Sequence, residues 1–96
     1  MARVTIMPMA QRQLAQLITT RTLPDDTVTR VERSIGRLAV QPHIGPALRG
    51  ERARYRYLRG PGRWMAIVYR VDQANDHVIV VAIQDTRSAD AWTAER

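Results

Sequence analysis

The sequence predicts an α+β domain in the order β-α-α-β-β-β, with a helical hairpin packed on a mostly antiparallel sheet. Two segments with helical periodicity occupy the first half of the chain, and three strand-like segments occupy the second half. The 96 residues, of which 45% are hydrophobic, suit a single domain over residues 1–96 with one modest core.

The first half of the chain predicts one strand and two helices. Residues 2–7 alternate apolar and polar side chains, as in a short strand, and Pro8 ends this run. Apolar residues then recur at intervals of three and four, first at Ala10, Leu14, Leu17 and Ile18, and again at Val28, Val31, Ile35 and Leu38. Residues 22–26 interrupt the pattern and Pro42 ends it, so we expect two antiparallel helices.

The second half predicts three strands and a short terminal helix. Residues 53–59 alternate arginine with tyrosine, which is typical of a strand with one charged face, and Gly60, Pro61 and Gly62 predict a turn. Residues 63–72 and 77–84 are the next strands. The second of these is almost continuously apolar, so we expect it to be central and buried on both faces. Residues 88–96 are expected to form the short terminal helix.

The charge of the chain is concentrated in one short stretch. Between Arg49 and Arg70 there are seven arginines and one acid, Glu51, a balance that equals the formal net charge of +6 of the whole chain. All 15 basic residues are arginine, which stays protonated and binds phosphate bidentately but cannot act as a general base. A concentrated cationic stretch on an otherwise neutral chain indicates a polyanionic partner, and nucleic acid is the first candidate.

Several classes of protein are excluded by what the sequence lacks. There is no cysteine, and the two histidines, His43 and His77, are far apart, so we expect no metal site and no cofactor. No glycine-rich phosphate loop is present. No signal-peptide pattern opens the chain, and the longest apolar run, residues 78–83, is too short to cross a bilayer. We therefore expect a cytoplasmic protein without a membrane partner.

A series of short motifs runs through nearly the whole chain in a characteristic order. They are Pro8 and Ala10 after the first strand, Leu23-Pro24, Leu38 with Pro42 and Gly45, Leu48-Arg49-Gly50, the basic segment 54–59, Gly62-Arg63-Trp64, the segment 68–72, and Asp85-Thr86-Arg87. In this order and spacing the chain resembles the RelE/ParE superfamily of bacterial toxin–antitoxin toxins.

The resemblance implies a function and a partner. RelE-type members cut mRNA, usually in the ribosomal A site, whereas ParE-type members poison DNA gyrase, and an antitoxin segment wraps around the toxin and inhibits it. We therefore expect the toxin of a type II system, an mRNA interferase that cuts ribosome-bound mRNA and inhibits translation, with a cognate antitoxin. The alternatives are a gyrase poison and a non-catalytic module that binds nucleic acid or antitoxin.

The resemblance also implies roles for individual residues. Arg56 and Arg59 lie near strand positions that hold RNA phosphates, and Arg87 lies where the family contacts the scissile phosphate. Trp92 takes the place of a C-terminal tyrosine, and it can stack on a base but cannot transfer a proton. The expected nucleic-acid-binding set is Arg54, Arg56, Arg59 and Trp92.

One position departs from the family pattern. After the glycine turn the family has Tyr-Arg, but here the arginine position holds Met65 or Ala66, depending on the alignment anchor. Neither residue can stabilise a pentavalent phosphate, and Arg63 is the candidate substitute. Cleavage also needs a proton acceptor, for which the candidates are Tyr55, Tyr57, Tyr69, Glu51 and Asp85. The expected catalytic set is Arg63, Arg87 and Tyr55.

Each of these assignments has a structural alternative. Arg54 and Arg56 can form a solvated strand face, and Arg87 can pair with Asp85 or Asp90. Tyr55 can be a half-buried sheet residue, and Trp64 is expected in the core.

Overall fold

In the computed structural model, which describes residues 1–88 and 90–94, four strands form one sheet and two helices pack against it. The strands are β1 (Arg3–Ile6), β2 (Tyr55–Arg59), β3 (Met65–Asp72) and β4 (His77–Asp85), and the helices are α1 (Pro8–Arg21) and α2 (Thr27–Val40). Short 3₁₀ turns lie at Gly50–Arg52, Gln73–Asn75 and Trp92–Ala94. The α+β class and the order of the main elements are confirmed.

The sheet is mixed, with strand order β1-β4-β3-β2. β1 runs parallel to β4, and the two other pairings are antiparallel. β4 thus lies between β1 and β3, and Val78, Val80 and Ala82 in it are fully buried. The predicted central position of the apolar segment is confirmed, since a strand covered on both faces must be apolar on both.

Both helices follow from local sequence signals. Pro8 is the first residue of α1, where its missing N–H costs nothing, and the helix ends at Thr22 in the left-handed region (φ 49°). At the start of α2, the Thr27 hydroxyl donates to the Pro24 carbonyl at 2.7 Å. Val31, Ile35 and Leu38 share one face of α2 and are buried in the core.

Apolar side chains cluster on both faces of the sheet. The main core lies between the sheet and the helices and includes Leu38, Met65, Ile67, Tyr69, Val80 and Ile83. On the opposite face, which we call the open face, Leu48, Val68 and Ala82 form a smaller cluster with half-buried Tyr55, Tyr57, Val81 and Trp92 around it. The two tyrosines are therefore sheet residues that cover this second cluster.

A β-bulge interrupts the pairing of β3 with β4. Val68 pairs with Ala82 but the next residue, Tyr69, pairs with Val80, so Val81 is an extra residue in β4. In a regular strand every second residue points to the same face, but here the core residues Val80 and Ile83 are three residues apart, on either side of the bulge. The bulge therefore changes which residues of β4 point toward the helices.

The starts of two strands and the C-terminal segment differ from the sequence prediction. The predicted strands at 53–59 and 63–72 begin two residues later, because residues 53–54 and 63–64 belong to turns. The helix predicted at 88–96 is wrong for the described residues, where only the turn Trp92–Ala94 forms. After β4 the chain folds back, and the Trp92 N–H donates to the Gln84 side chain at 2.9 Å. Ala89, Glu95 and Arg96 of the predicted helix lie outside the described residues.

Across residues 1–88 and 90–94, no helix is long and apolar enough to cross a membrane.

Candidate nucleic-acid interface

Four arginines lie around the place where β2 ends, β3 begins and β4 ends. We call this region the turn end, and it consists of Arg21, Arg59, Arg63, Trp64, Asp85 and Arg87. Backbone pairing fixes it, because Met65 pairs with Asp85 and the Thr86 N–H donates to the Trp64 carbonyl at 2.6 Å. The strand ends therefore carry residues that are distant in sequence to the same place.

Asp85 organises the cations of the turn end. Its side chain is only 5% exposed and is bound by Arg87, with Nε at 3.0 Å from Oδ1 and Nη2 at 3.2 Å from Oδ2. The Arg21 guanidinium, from the last turn of α1, also contacts Oδ2. Hydrogen bonds from Arg87 are the main reason why the pKa of Asp85 lies below its ordinary value. The pair of Arg87 with Asp85, expected as an alternative from the sequence, is thus present.

Trp64 lies beside these two guanidiniums. The guanidinium carbons of Arg87 and Arg21 are 5.4 and 5.7 Å from the centre of the ring. Both distances are within the range of cation–π contacts. Trp64 also packs against the main core and is half-buried, in agreement with the predicted core role. Sequence reasoning missed Arg21, whose only signal is a basic residue in the last turn of the first helix.

Arg59 and Arg63 complete the turn end on its solvent side. Both side chains are exposed, and Arg59 donates to the backbone carbonyl of Arg63 across the turn. Because Leu58 packs in the main core, the Arg59 side chain leaves the sheet on the open face, whereas Asp85 meets Arg21 and Arg87 on the helix side. Since one carboxylate cannot neutralise four cations, this end of the sheet is electropositive.

Tyr55, Arg54 and Trp92 lie away from the turn end. Tyr55 begins β2 and Arg59 ends it, a separation of about 13 Å along the strand. The Trp92 ring meets the Tyr55 ring edge-on at 5.2 Å, with Arg52 4.6 Å from the Trp92 ring and Arg54 5.8 Å from the Tyr55 ring. We call Arg52, Arg54, Tyr55 and Trp92 the Trp92 region. The structure does not bring Tyr55 together with Arg63 and Arg87.

Arg56 holds the loop that precedes β2 in place through a hydrogen bond to its backbone. It is three residues from Arg59 on the same strand, so the two side chains point to opposite faces of the sheet. Arg56 donates to the Gly45 carbonyl at 2.7 Å, and the Gly45 N–H donates to the Tyr69 hydroxyl at 3.0 Å. Burial raises the pKa of Tyr69 above its ordinary value. The predicted charged face of residues 54 and 56 is not formed, because Arg54 precedes the strand and Arg56 anchors the preceding loop.

The position of the missing family arginine is closed to solvent. Met65 and Ala66 are both fully buried, so neither side chain reaches a ligand. Arg63, the proposed substitute, lies in the turn two residues before β3 rather than in the strand. Among residues 1–88 and 90–94, no group of three or more His, Asp or Glu side chains is placed to hold a metal ion.

Comparison of the sequence with protein-family models and with curated proteins finds no match. Solved structures are similar. The toxin–antitoxin complex RelBE2 from Mycobacterium tuberculosis has a TM-score of 0.68 and 26% identity, covering 88% of this chain and 96% of that chain. The isolated E. coli RelE toxin has a TM-score of 0.64 and 15% identity, covering 98% and 94%. A copper-bound mutant toxin from Helicobacter pylori has a TM-score of 0.65 and 20% identity, covering 88% and 94%.

Two helices on a mixed four-stranded sheet define a small α+β domain, and the toxin–antitoxin complex from M. tuberculosis contains a similar fold. The chain has the fold of a RelE-superfamily toxin, and the resemblance predicted from its sequence is confirmed.

Proposed function

We propose that this protein is the toxin of a type II toxin–antitoxin system and that it cleaves ribosome-bound mRNA, thereby inhibiting translation. The observation that carries the proposal is the hydrogen bond from the Thr86 N–H to the Trp64 carbonyl, which brings the chain at Arg87 next to the chain at Arg63. Neighbouring cations suit an RNA phosphodiester, whose negative charge increases as the 2′-hydroxyl attacks.

Asp85 gives Arg87 a fixed orientation for this role. The carboxylate contacts Nε and Nη2 of Arg87 and leaves Nη1 outside the pair. A guanidinium held in this way keeps its charge and directs its remaining edge at the phosphate. Arg63 and Arg59, both exposed, supply charge from the adjacent turn.

Proton transfer is the weaker part of the site. Tyr55, the expected acid–base candidate, lies about 13 Å along β2 from Arg59. Asp85 is already bound by two arginines. The chain therefore supplies mainly charge and orientation, and we assign the remaining acceleration to alignment of the mRNA on the ribosome.

We also propose a cognate antitoxin as partner. The similar M. tuberculosis structure is a complex of toxin and antitoxin. In this chain an apolar groove of about 340 Å³ lies between α1 and α2, with Leu14, Ile18 and Val28 in its lining. Val28 is 45% exposed. An amphipathic antitoxin segment that folds on binding would cover such a groove.

Cell-free translation of a defined mRNA, followed by primer extension, tests the proposal. We expect cleavage at discrete positions that depends on ribosomes, and we expect Arg63→Ala and Arg87→Ala each to lower it at least about tenfold. Arg12→Ala removes the same charge from an exposed position on α1 and is the matched control. Full cleavage by the Arg63→Ala/Arg87→Ala double variant would contradict the site assignment.

A gyrase poison is the second candidate, favoured by the burial of Met65 and Ala66 and by the distance of Tyr55 from the arginines. Supercoiling by purified gyrase distinguishes the two. Inhibition of supercoiling with intact mRNA would support the second candidate, and cleaved mRNA with normal supercoiling would reject it. Binding of RNA without either effect would indicate a non-catalytic module.

A further inference from the structure

A small cavity lies between the α1–α2 loop and the β2–β3 turn. Its volume is about 240 Å³, and Leu23, Pro24, Arg30, Pro61, Trp64 and Met65 are part of its lining. This is smaller than the roughly 300–1,000 Å³ of pockets for drug-sized ligands, so it suits a single planar ring system. The cavity adjoins the turn end through Trp64 but contains none of the candidate catalytic residues.

The lining matches the chemistry of a nucleobase. Trp64 provides an aromatic wall, and Leu23 and Pro24 provide apolar surface. Arg30, exposed on α2, places a hydrogen-bond donor and a positive charge at the edge of the cavity. Unstacked bases of single-stranded RNA are held in this manner, by stacking on aromatic side chains and by polar contacts to their edges.

The surroundings match the phosphates on either side of such a base. Arg63 is exposed on the turn that forms one side of the cavity. Arg21 and Arg87 lie near the Trp64 ring, where both also contact Asp85. The acids of the adjacent loop are Asp25 and Asp26, both exposed, so with Arg30 four arginines face three carboxylates around the cavity. This charge pattern favours a nucleotide chain over an uncharged ligand.

We infer that this cavity is a binding site for one unstacked nucleobase of a single-stranded RNA, with Trp64 as the stacking surface and Arg30 as the specificity contact. The inference rests on the proposed function for its substrate class, RNA. It goes beyond that function, because the cavity selects a base rather than cutting a phosphodiester.

Binding of an uncleavable 2′-O-methyl RNA oligonucleotide tests the site. Trp92→Phe leaves Trp64 as the single tryptophan, so its fluorescence reports the cavity directly. A fully abasic oligonucleotide of the same length carries the same phosphate charge without bases. We expect the intact oligonucleotide to bind about tenfold more tightly than the abasic one and to quench Trp64.

Two arginine variants separate base recognition from charge. Arg30 and Arg33 are both exposed on α2, but only Arg30 lines the cavity. Arg30→Gln should reduce the ratio between intact and abasic affinities to about threefold or less, because it weakens the base contact. Arg33→Gln should weaken both oligonucleotides alike and preserve the ratio. Trp64→Phe should keep most of the ratio, and Trp64→Leu should abolish it.

The outcomes that overturn the inference are distinct from those that overturn the proposed function. The base site is rejected if the ratio between intact and abasic affinities is unchanged in both Arg30→Gln and Trp64→Leu. It is also rejected if Arg30→Gln and Arg33→Gln lower this ratio equally. Ribosome-dependent cleavage with base-independent binding would reject the base site alone. Base-dependent binding without any mRNA cleavage would reject the nuclease proposal and leave the base site in place.

Discussion

The two tryptophans of this protein lie in opposite settings, although each has arginines near its ring. Trp64 forms one wall of a cavity at the turn end, with Arg30 at the other side. Trp92 covers the apolar cluster on the open face and meets Tyr55 edge-on. The same pairing of guanidinium and indole thus borders a ligand-sized space in one region and closes a small core in the other.

This difference shows that a contact between arginine and tryptophan does not by itself indicate a binding site. The Trp92 ring has Tyr55 edge-on at 5.2 Å and Arg52 at 4.6 Å, and it packs on the apolar cluster of the open face. Trp64 has a cavity next to it. We therefore expect perturbation of the Trp92 region to affect folding, and perturbation of the Trp64 region to affect ligand binding.

The largest effect is expected at Gly45, in the loop between α2 and β2, which packs against the backbone of β2. A Cβ at this position would lie 2.1 Å from the Tyr57 carbonyl oxygen, which is backbone and cannot yield easily. Gly45→Ala should lower the free energy of unfolding by about 3 kcal/mol. Urea denaturation measures the change.

Gly36→Ala is the matched control, since nothing lies within 4 Å of a Cβ there. On the exposed side of α2, alanine should raise the free energy of unfolding by up to about 1 kcal/mol. Equal stability of the two variants would show that the close approach at Gly45 is not a constraint.

Trp92→Ala should have the second largest effect. It uncovers Val68 and Ala82, both fully buried, and removes a half-buried indole, so we expect a loss of about 2 kcal/mol in the free energy of unfolding. The ratio between intact and abasic RNA affinities should stay unchanged in the folded variant. Loss of that ratio with normal stability would reverse the contrast between the two tryptophans.

Asp85→Asn should have the smallest effect on stability, about 1 kcal/mol at neutral pH, because its two arginine partners are partly exposed. The pKa of Asp85 lies below its ordinary value, so its stabilising contribution is complete above the ordinary carboxyl pKa and is lost as the pH falls through the lowered value. The stability gap between the wild type and Asp85→Asn should therefore narrow below about pH 4, as measured by urea denaturation across pH. A gap independent of pH would contradict the ion pair.

Most of the fold followed from periodicity, because β4 and α2 have patterns that only one arrangement satisfies. The apolar run at 78–83 required a central strand, and the spacing of Val31, Ile35 and Leu38 required a helix packed on one side. The short terminal turn at Trp92–Ala94 was missed, since tertiary contacts such as the hydrogen bond to Gln84 override helical propensity there.

The site was less predictable than the fold. The family resemblance placed Arg56 with Arg59, but the alternation of a strand sends them to opposite faces, and the Gly45 carbonyl that binds Arg56 lies 11 residues earlier. Arg21 reaches the turn end from α1, and Arg30 lines the neighbouring cavity from α2. Their position depends on how the helices pack, which the local pattern of the sequence does not contain.

The bulge at Val81 determines which side chains at the end of β4 face the helices. Because β4 carries one residue more than β3 at this point, Ile83 and Asp85 share the side on which α1 lies, where Arg21 meets the carboxylate. Removing a single residue there would exchange the two sides for everything that follows, bringing Gln84 toward the helices and turning Asp85 away from them. Deletion of one residue, with no change in charge, would thus separate Asp85 from Arg21 on α1, whereas Arg87, two residues further along the same segment, would turn together with Asp85.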